Sequence, residues 1–240
     1  MSHRPSPISH HGFFVTGTDT GAGKTLVACG LLRAHAAMGM RAVGMKPVAA
    51  GASVEDGRLT NADVRALELA GNVAAPGELV NPYCFEPPIA PHIAAAQAGV
   101  NIDLARVKNA FLQLAAVADC VVVEGAGGFR VPLGSHTDMS DLAAMIGLPV
   151  VLVVGMRLGC INHALLTAAA VRTAGLTLAG WVANHVDPAF ACADENVAAL
   201  RERLHATLLA RFAYGENADP ALVASRLSVE LLRDSSTVKR

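Results

Sequence analysis

The stretch Gly17-Thr18-Asp19-Thr20-Gly21-Ala22-Gly23-Lys24-Thr25 decides how the rest of the chain reads. It follows Phe13-Phe14-Val15-Thr16, an aromatic and β-branched run that predicts a strand, and it opens an Ala/Leu-rich stretch, Thr25–Met38, that predicts a helix. A glycine-rich turn between a strand and a helix, ending in Gly-Lys-Thr, is the context a phosphate-binding loop requires. Successive backbone N–H groups and the helix N-terminus present positive potential to phosphate. Lys24 can reach the β and γ oxygens, and the Thr25 hydroxyl can ligand Mg²⁺. Five residues rather than the usual four separate Gly17 from Gly23. The bland alternative is an ordinary strand–helix turn.

Outward from this loop, short apolar runs alternate with helical patterns. Ala42–Val48 reads as a second strand, and Asn61–Ala70 and Leu104–Ala118 as helices. Cys120-Val121-Val122-Val123 is apolar at every position, as a strand covered on both faces must be. Pro149–Val154 and Leu178–Val182 repeat that pattern, the latter weakened by Gly180, with helical stretches at Asn162–Ala174 and Asp194–Thr207. Leu208–Tyr214 reads as one more strand, and Arg226–Leu232 as a short terminal helix packed on the core. The alternation predicts an α/β fold of the P-loop NTPase type, a mostly parallel sheet with helices on both faces. Ala49–Pro91 is rich in Pro, Gly and Asn with one helix-like piece, and reads as functional loops grafted on the sheet.

Bulk properties agree. The 240 residues are 52% apolar and 16% charged, enough for a sizeable core and unlike a disordered chain. A formal charge of −1 points to neither nucleic acid nor an anionic membrane. The nine histidines show no metal-ligand spacing, and the five cysteines form no CxxC pair, which fits buried thiols in a reducing compartment. Residues 1–11 lack the apolar centre of a signal peptide and read as a disordered or tag-like tail, with one domain over 12–240 in the cytoplasm.

A second motif, Glu124-Gly125-Ala126-Gly127-Gly128, closes the apolar strand at Val123. Ligands in open α/β sheets sit at the carboxyl ends of strands, so Glu124 is placed to face the metal-nucleotide site. Alone, it reads equally well as a strand-end turn with a solvated acid. Lys46, at another predicted strand end, is by itself a surface lysine.

Taken together, Gly17–Thr25, Lys46–Gly51, Asn61-Ala62-Asp63, Asn81-Pro82-Tyr83, Pro91-His92-Ile93, Glu124–Gly128, Gly159–Ala164 and Gly180–Asn184 resemble the dethiobiotin synthetases in order and distance, from about Gly12 to Asn184. The resemblance implies an ATP- and Mg²⁺-dependent ligase that joins CO2 to 7,8-diaminononanoate and closes a ureido ring. It implies catalytic roles for Lys46, Lys24 and Thr20, and nucleotide contacts from Gly21, Ala22, Gly23, Lys24, Thr25, Asp63, Glu124, Gly125, Ala126, Gly127, Asn184 and His185. Thr25, Asp63 and Glu124 match the metal positions. Lys46, Gly159, Cys160 and Asn162 match substrate positions, the last three on a loop that serves the neighbouring subunit of a homodimer. A helix N-terminus suits the substrate carboxylate physically, although Asn162 reads equally as a cap and Asn184 as a turn residue.

Departures fall at Ala50, where many relatives carry Ser, at His185 for Asp, at Arg157 for Lys, at Asn196 for a Tyr of some relatives, and at Ala210-Arg211. A partition or positioning ATPase on a related fold is the main competing reading. Such proteins carry a signature lysine early in the loop, where this chain has Asp19. A related amide-forming ligase and a nucleotide-binding paralogue complete the alternatives.

Overall fold

The computed structural model describes residues 11–55, 57–215, 220–230 and 232. Of the tail expected over 1–11, only His11 lies among them, and it opens the first strand. In chain order the elements are β1 (His11–Gly17), α1 (Lys24–Ala37), β2 (Ala42–Met45), β3 (Val48–Ala50), β4 (Ser53–Glu55), β5 (Arg58–Thr60), α2 (Ala62–Ala70), α3 (Gly77–Val80), β6 (Tyr83–Phe85) and α4 (Pro91–Gln97). There follow α5 (Leu104–Val117), β7 (Cys120–Gly128), α6 (Met139–Ile146), β8 (Val150–Met156), α7 (Cys160–Thr173), β9 (Leu178–His185), α8 (Ala193–Leu204), β10 (Leu208–Phe212) and α9 (Pro220–Arg226).

Six strands form one sheet in the order β10-β9-β8-β1-β7-β2, and every pairing in it is parallel. Alternation along each strand divides the interior into two layers. Phe14, Val121, Val123, Leu152 and Val154 join the core under α5, α6, α7 and α8. Phe13, Val15, Val122, Val151 and Val153 join the core under α1, α2 and α9. Covered on both faces, these strands carry apolar residues at successive positions, which is why they read as continuous apolar runs.

Three expectations are corrected. The strand expected over Ala42–Val48 is two strands. Pro47 has no N–H to give a ladder, so β2 stops at Met45, and β3 leaves the main sheet to pair with β6. Between them Lys46 N–H donates to the Val80 carbonyl at 2.8 Å. The loops expected over Ala49–Pro91 hold the β4–β5 hairpin, the β3–β6 pair and two helices. A helix not expected, α9, ends at Arg226, where the span Arg226–Leu232 begins, and lies on α1 where Gly30 leaves room for Val223. Within that span Leu227 and Ser228 are not helical while Glu230 and Leu232 are, and Leu227, Val229 and Leu232 are buried.

Gly180 does not interrupt β9. The register shifts there, with Val150 opposite Leu178 and Val151 opposite Gly180, so Ala179 is the extra residue of a bulge. A Cβ on Gly180 would lie 2.7 Å from Leu209. The bulge rephases the strand, and Trp181 turns into the α7–α8 layer. The carboxyl ends of β1, β2, β7, β8 and β9 then share one edge of the sheet. Because β7 and β8 lie on opposite sides of β1, the chain parts above β1, where ligands of such sheets bind.

Candidate active site

The loop after β1 folds as its glycines dictate. Gly21 and Gly23 have φ of 77° and 95°, values that favour glycine. Gly23 is the N-cap of α1 and offers no side chain, so the first N–H groups of the helix stay directed at the loop. A Cβ on Gly23 would also meet Asn184 Nδ2 at 2.2 Å. That amide, 1% exposed at the end of β9, donates to the Ala22 carbonyl at 2.8 Å. Asn184 thus braces the phosphate loop from a neighbouring strand end.

Beside the loop lies a buried ionic cluster. The Lys46 ammonium donates to Glu124 Oε1 at 2.5 Å and to Asp63 Oδ2 at 2.8 Å, and Thr25 Oγ1 donates to the same Glu124 oxygen at 2.9 Å. Lys46 and Glu124 are 4% and 1% exposed. Each arrives by a different local rule. Lys46 precedes Pro47, which sets it at the break between β2 and β3. Glu124 continues β7 past its apolar run. Asp63 lies in the first turn of α2, whose N-cap Asn61 accepts from the Asp63 and Val64 N–H groups.

Burial works against the charge of Lys46, but Glu124 and Asp63 outweigh it and raise the pKa. Burial also opposes the Asp63 anion, yet the Lys46 ammonium holds that carboxyl below its ordinary value. Glu124 is pushed up by burial, which Lys46 offsets only in part. Lys24 is lowered, first by burial and then by Lys46; its ammonium donates to the Asp19 carbonyl at 3.1 Å.

Glu124 Oε2 is buried and has no hydrogen-bond partner. With the Thr25 hydroxyl and the Asp63 carboxylate it forms a set of hard oxygen donors suited to Mg²⁺. These groups, both lysines, Thr20, Gly21, Gly23, Ala126 and Gly127 line a cavity of about 680 Å³. Its apolar lining comes from Val48, Pro88, Ile89 and Val131. Gly127, with φ of 62°, brings the second glycine-rich loop close to Thr20, while Gly125 packs on Phe14.

The remaining expected residues lie elsewhere. Gly159, with φ of 93°, is the N-cap of α7 and again leaves the helix N–H groups without a side-chain cap. Cys160 is buried and Asn162 exposed in that first turn, apart from the cavity. Asn196 reaches the same turn, its Oδ1 4.0 Å from Cys160 Sγ. His185 packs edge-on to Phe190, and its buried Nε2 has no partner. Burial lowers its pKa, Arg211 adds to this, and Asp194 opposes it.

Two contributors escaped sequence reasoning. Asn81 Nδ2 donates to the Lys46 carbonyl at 2.6 Å and to the Tyr83 carbonyl at 2.9 Å, holding the lysine's backbone. In the sequence, Asn81-Pro82-Tyr83 stands only as one of the motifs that carry the resemblance, with no role given to Asn81. The apolar wall at Ile89 and Val131 had no sequence signal, because it is assembled from two distant loops.

Fold and site together define a phosphate-loop nucleotide-binding protein of the α/β class. The family described as AAA domain matches residues 11–221. An ATP-dependent dethiobiotin synthetase BioD of Aromatoleum aromaticum is 56% identical over 215 residues, covering 90% of this chain and 96% of the relative. One of Nitrosospira multiformis is 55% identical over 225 residues, covering 94% and 98%. The chain belongs to the dethiobiotin synthetase family. In fold alone it is similar to a chain of the MinC:MinD cell division protein complex of Aquifex aeolicus, with a TM-score of 0.54, 11% identity, and coverage of 96% and 97%. A ParA family ATPase of Chlorobium tepidum gives a TM-score of 0.53, 13% identity, and coverage of 95% and 94%.

Proposed function

We propose that the chain converts 7,8-diaminononanoate, CO2 and ATP to dethiobiotin, ADP and phosphate, with Mg²⁺ held by Thr25, Asp63 and Glu124. The observation that carries this reading is the convergence of Lys24 and Lys46 on one cavity that also has an apolar lining. Two cations suit a triphosphate beside a second anion, and the wall suits an alkyl chain.

The chemistry sets the demands. One amine adds to CO2 and loses a proton, giving a carbamate. A carbamate oxygen attacks the γ-phosphorus, the bond to the bridging oxygen breaks, and ADP leaves. The second amine attacks the carbamic carbon, loses a proton, and phosphate departs with the former carbamate oxygen as the ring closes. Bound Mg²⁺ would neutralise phosphate charge as it develops. Lys24 and the loop N–H groups hold the triphosphate. Lys46 faces the carbamate and γ-phosphate, which supply the negative charge that Glu124 and Asp63 supply in its present position. Thr20 and Gly127 line the cavity, and Asn184, which braces the loop, would contact the base together with the neighbouring His185.

The loop Gly155–Asn162 serves the diamine carboxylate of a second copy in a homodimer. Leu158 is 92% and Leu166 62% exposed beside the uncapped α7 N-terminus, apolar surface that a partner would cover. A solution mass of a single chain would contradict the dimer. No helix of the described residues is long and apolar enough to cross a membrane, and we assign the protein to the cytoplasm.

The purified protein is expected to release phosphate from MgATP only with both diamine and bicarbonate present. Release stimulated by DNA or lipid, without diamine, would instead favour a positioning ATPase.

A further inference from the structure

Asp19 is the junction of the phosphate loop. Its Oδ1 accepts from the Thr20 N–H at 2.8 Å, and its carbonyl accepts from the Lys24 ammonium at 3.1 Å. Its Oδ2 receives Arg157 Nη2 at 2.5 Å. Arg157 comes from a distant part of the chain, just past β8, in the turn closed by the Cys160 N–H to the Arg157 carbonyl at 3.0 Å. The same two segments are joined twice more. The Thr18 N–H donates to the Val153 carbonyl at 3.0 Å, and the Gly155 N–H donates to Thr18 Oγ1 at 3.2 Å. The front arm of the phosphate loop is thus fastened to the end of β8, whereas its back arm turns on Gly21 and Gly23.

A carboxylate so close to a triphosphate site is a liability, because like charges repel and the loop's positive potential is reduced. Arg157 both neutralises it and fixes the side on which it lies. Side-chain exposures of 42% and 51% leave the pair little weight in fold stability. Its consequence falls on the ligand instead.

We propose that Arg157 is a positioning residue for the nucleotide: through Asp19 it holds the front arm of the phosphate loop with its N–H groups directed at the phosphates and the acid turned away. The contact is one N–H to one oxygen rather than a two-pronged fork, so a lysine can replace it.

Titration calorimetry with MgADP tests this without the diamine, alongside the ATP dependence of ring closure. Arg157→Ala is expected to weaken MgADP about tenfold and to raise KM for ATP by a similar factor, with a smaller fall in kcat and little change in Tm. Arg157→Lys is expected within a few-fold of the unsubstituted protein. Asp19→Asn keeps an oxygen for the Thr20 N–H and removes the charge. In that background Arg157→Ala should cost almost nothing, a non-additivity that only an effect routed through Asp19 produces. Unchanged MgADP affinity in Arg157→Ala, or additive losses in the double variant, would overturn the proposal. If the unsubstituted protein failed to bind MgADP, that would contradict nucleotide use itself, a distinguishable failure.

Discussion

Lys46 shows how far a residue's meaning depends on what surrounds it. A lysine before a proline is unremarkable in sequence, and its role was legible only through resemblance. Its depth and its two carboxylate partners are products of tertiary structure. They also make it structural, because it is the counter-ion of the buried Glu124. Breaking a buried pair costs about 3–5 kcal/mol when the remaining charge persists. Glu124 is already pushed toward its neutral form by burial, and protonation lowers that cost. Lys46→Met is therefore expected to abolish ring closure and to lower stability by about 2 kcal/mol, or about 4–8 °C in Tm. Mg²⁺ should restore part of that loss by supplying positive charge to the same carboxylates. Thermal melts with and without Mg²⁺ check this. A variant whose Tm ignores Mg²⁺ would remove Glu124 and Asp63 from the metal site.

At the scale of elements, α1 matters through its first turn. The Gly-Lys-Thr ending and its strand–helix setting were legible, since a glycine at the helix start and apolar runs on either side leave local marks. The reason Gly23 must be glycine was not, because half of it is Asn184, 161 residues further along the chain and brought near by β9. Gly23→Ala would force alanine to a φ of 95° and press its Cβ on Asn184. A non-glycine residue in such a region costs about 1–3 kcal/mol. MgADP binding should fall by an order of magnitude or more, which titration calorimetry would reveal; unchanged affinity would mean that the loop does not cradle the phosphates. The misread elements fail for equally local reasons. Pro47 ends β2 where apolar character continues, and a bulge carries β9 through Gly180, which looks like a break. Short pairs such as β3–β6 leave no periodic trace in three residues each.

At the scale of the molecule, the sheet was legible because strands covered on both faces read as unbroken apolar runs. Their order was not, since β2 and β7 adjoin with 74 residues between them. The fold alone is shared with MinD- and ParA-type ATPases, and it does not choose a reaction. The choice rests on the site, where two lysines, three oxygen donors and an apolar wall meet in one cavity. Such a cavity is suited to phosphorylate a carbamate on the way to ring closure. The most direct test of that step supplies ¹⁸O-labelled CO2 with the diamine and MgATP and follows the label into released phosphate by mass spectrometry. One labelled oxygen is expected in each phosphate formed, in step with dethiobiotin. Dethiobiotin accompanied by unlabelled phosphate, or phosphate formed without the diamine, would contradict it.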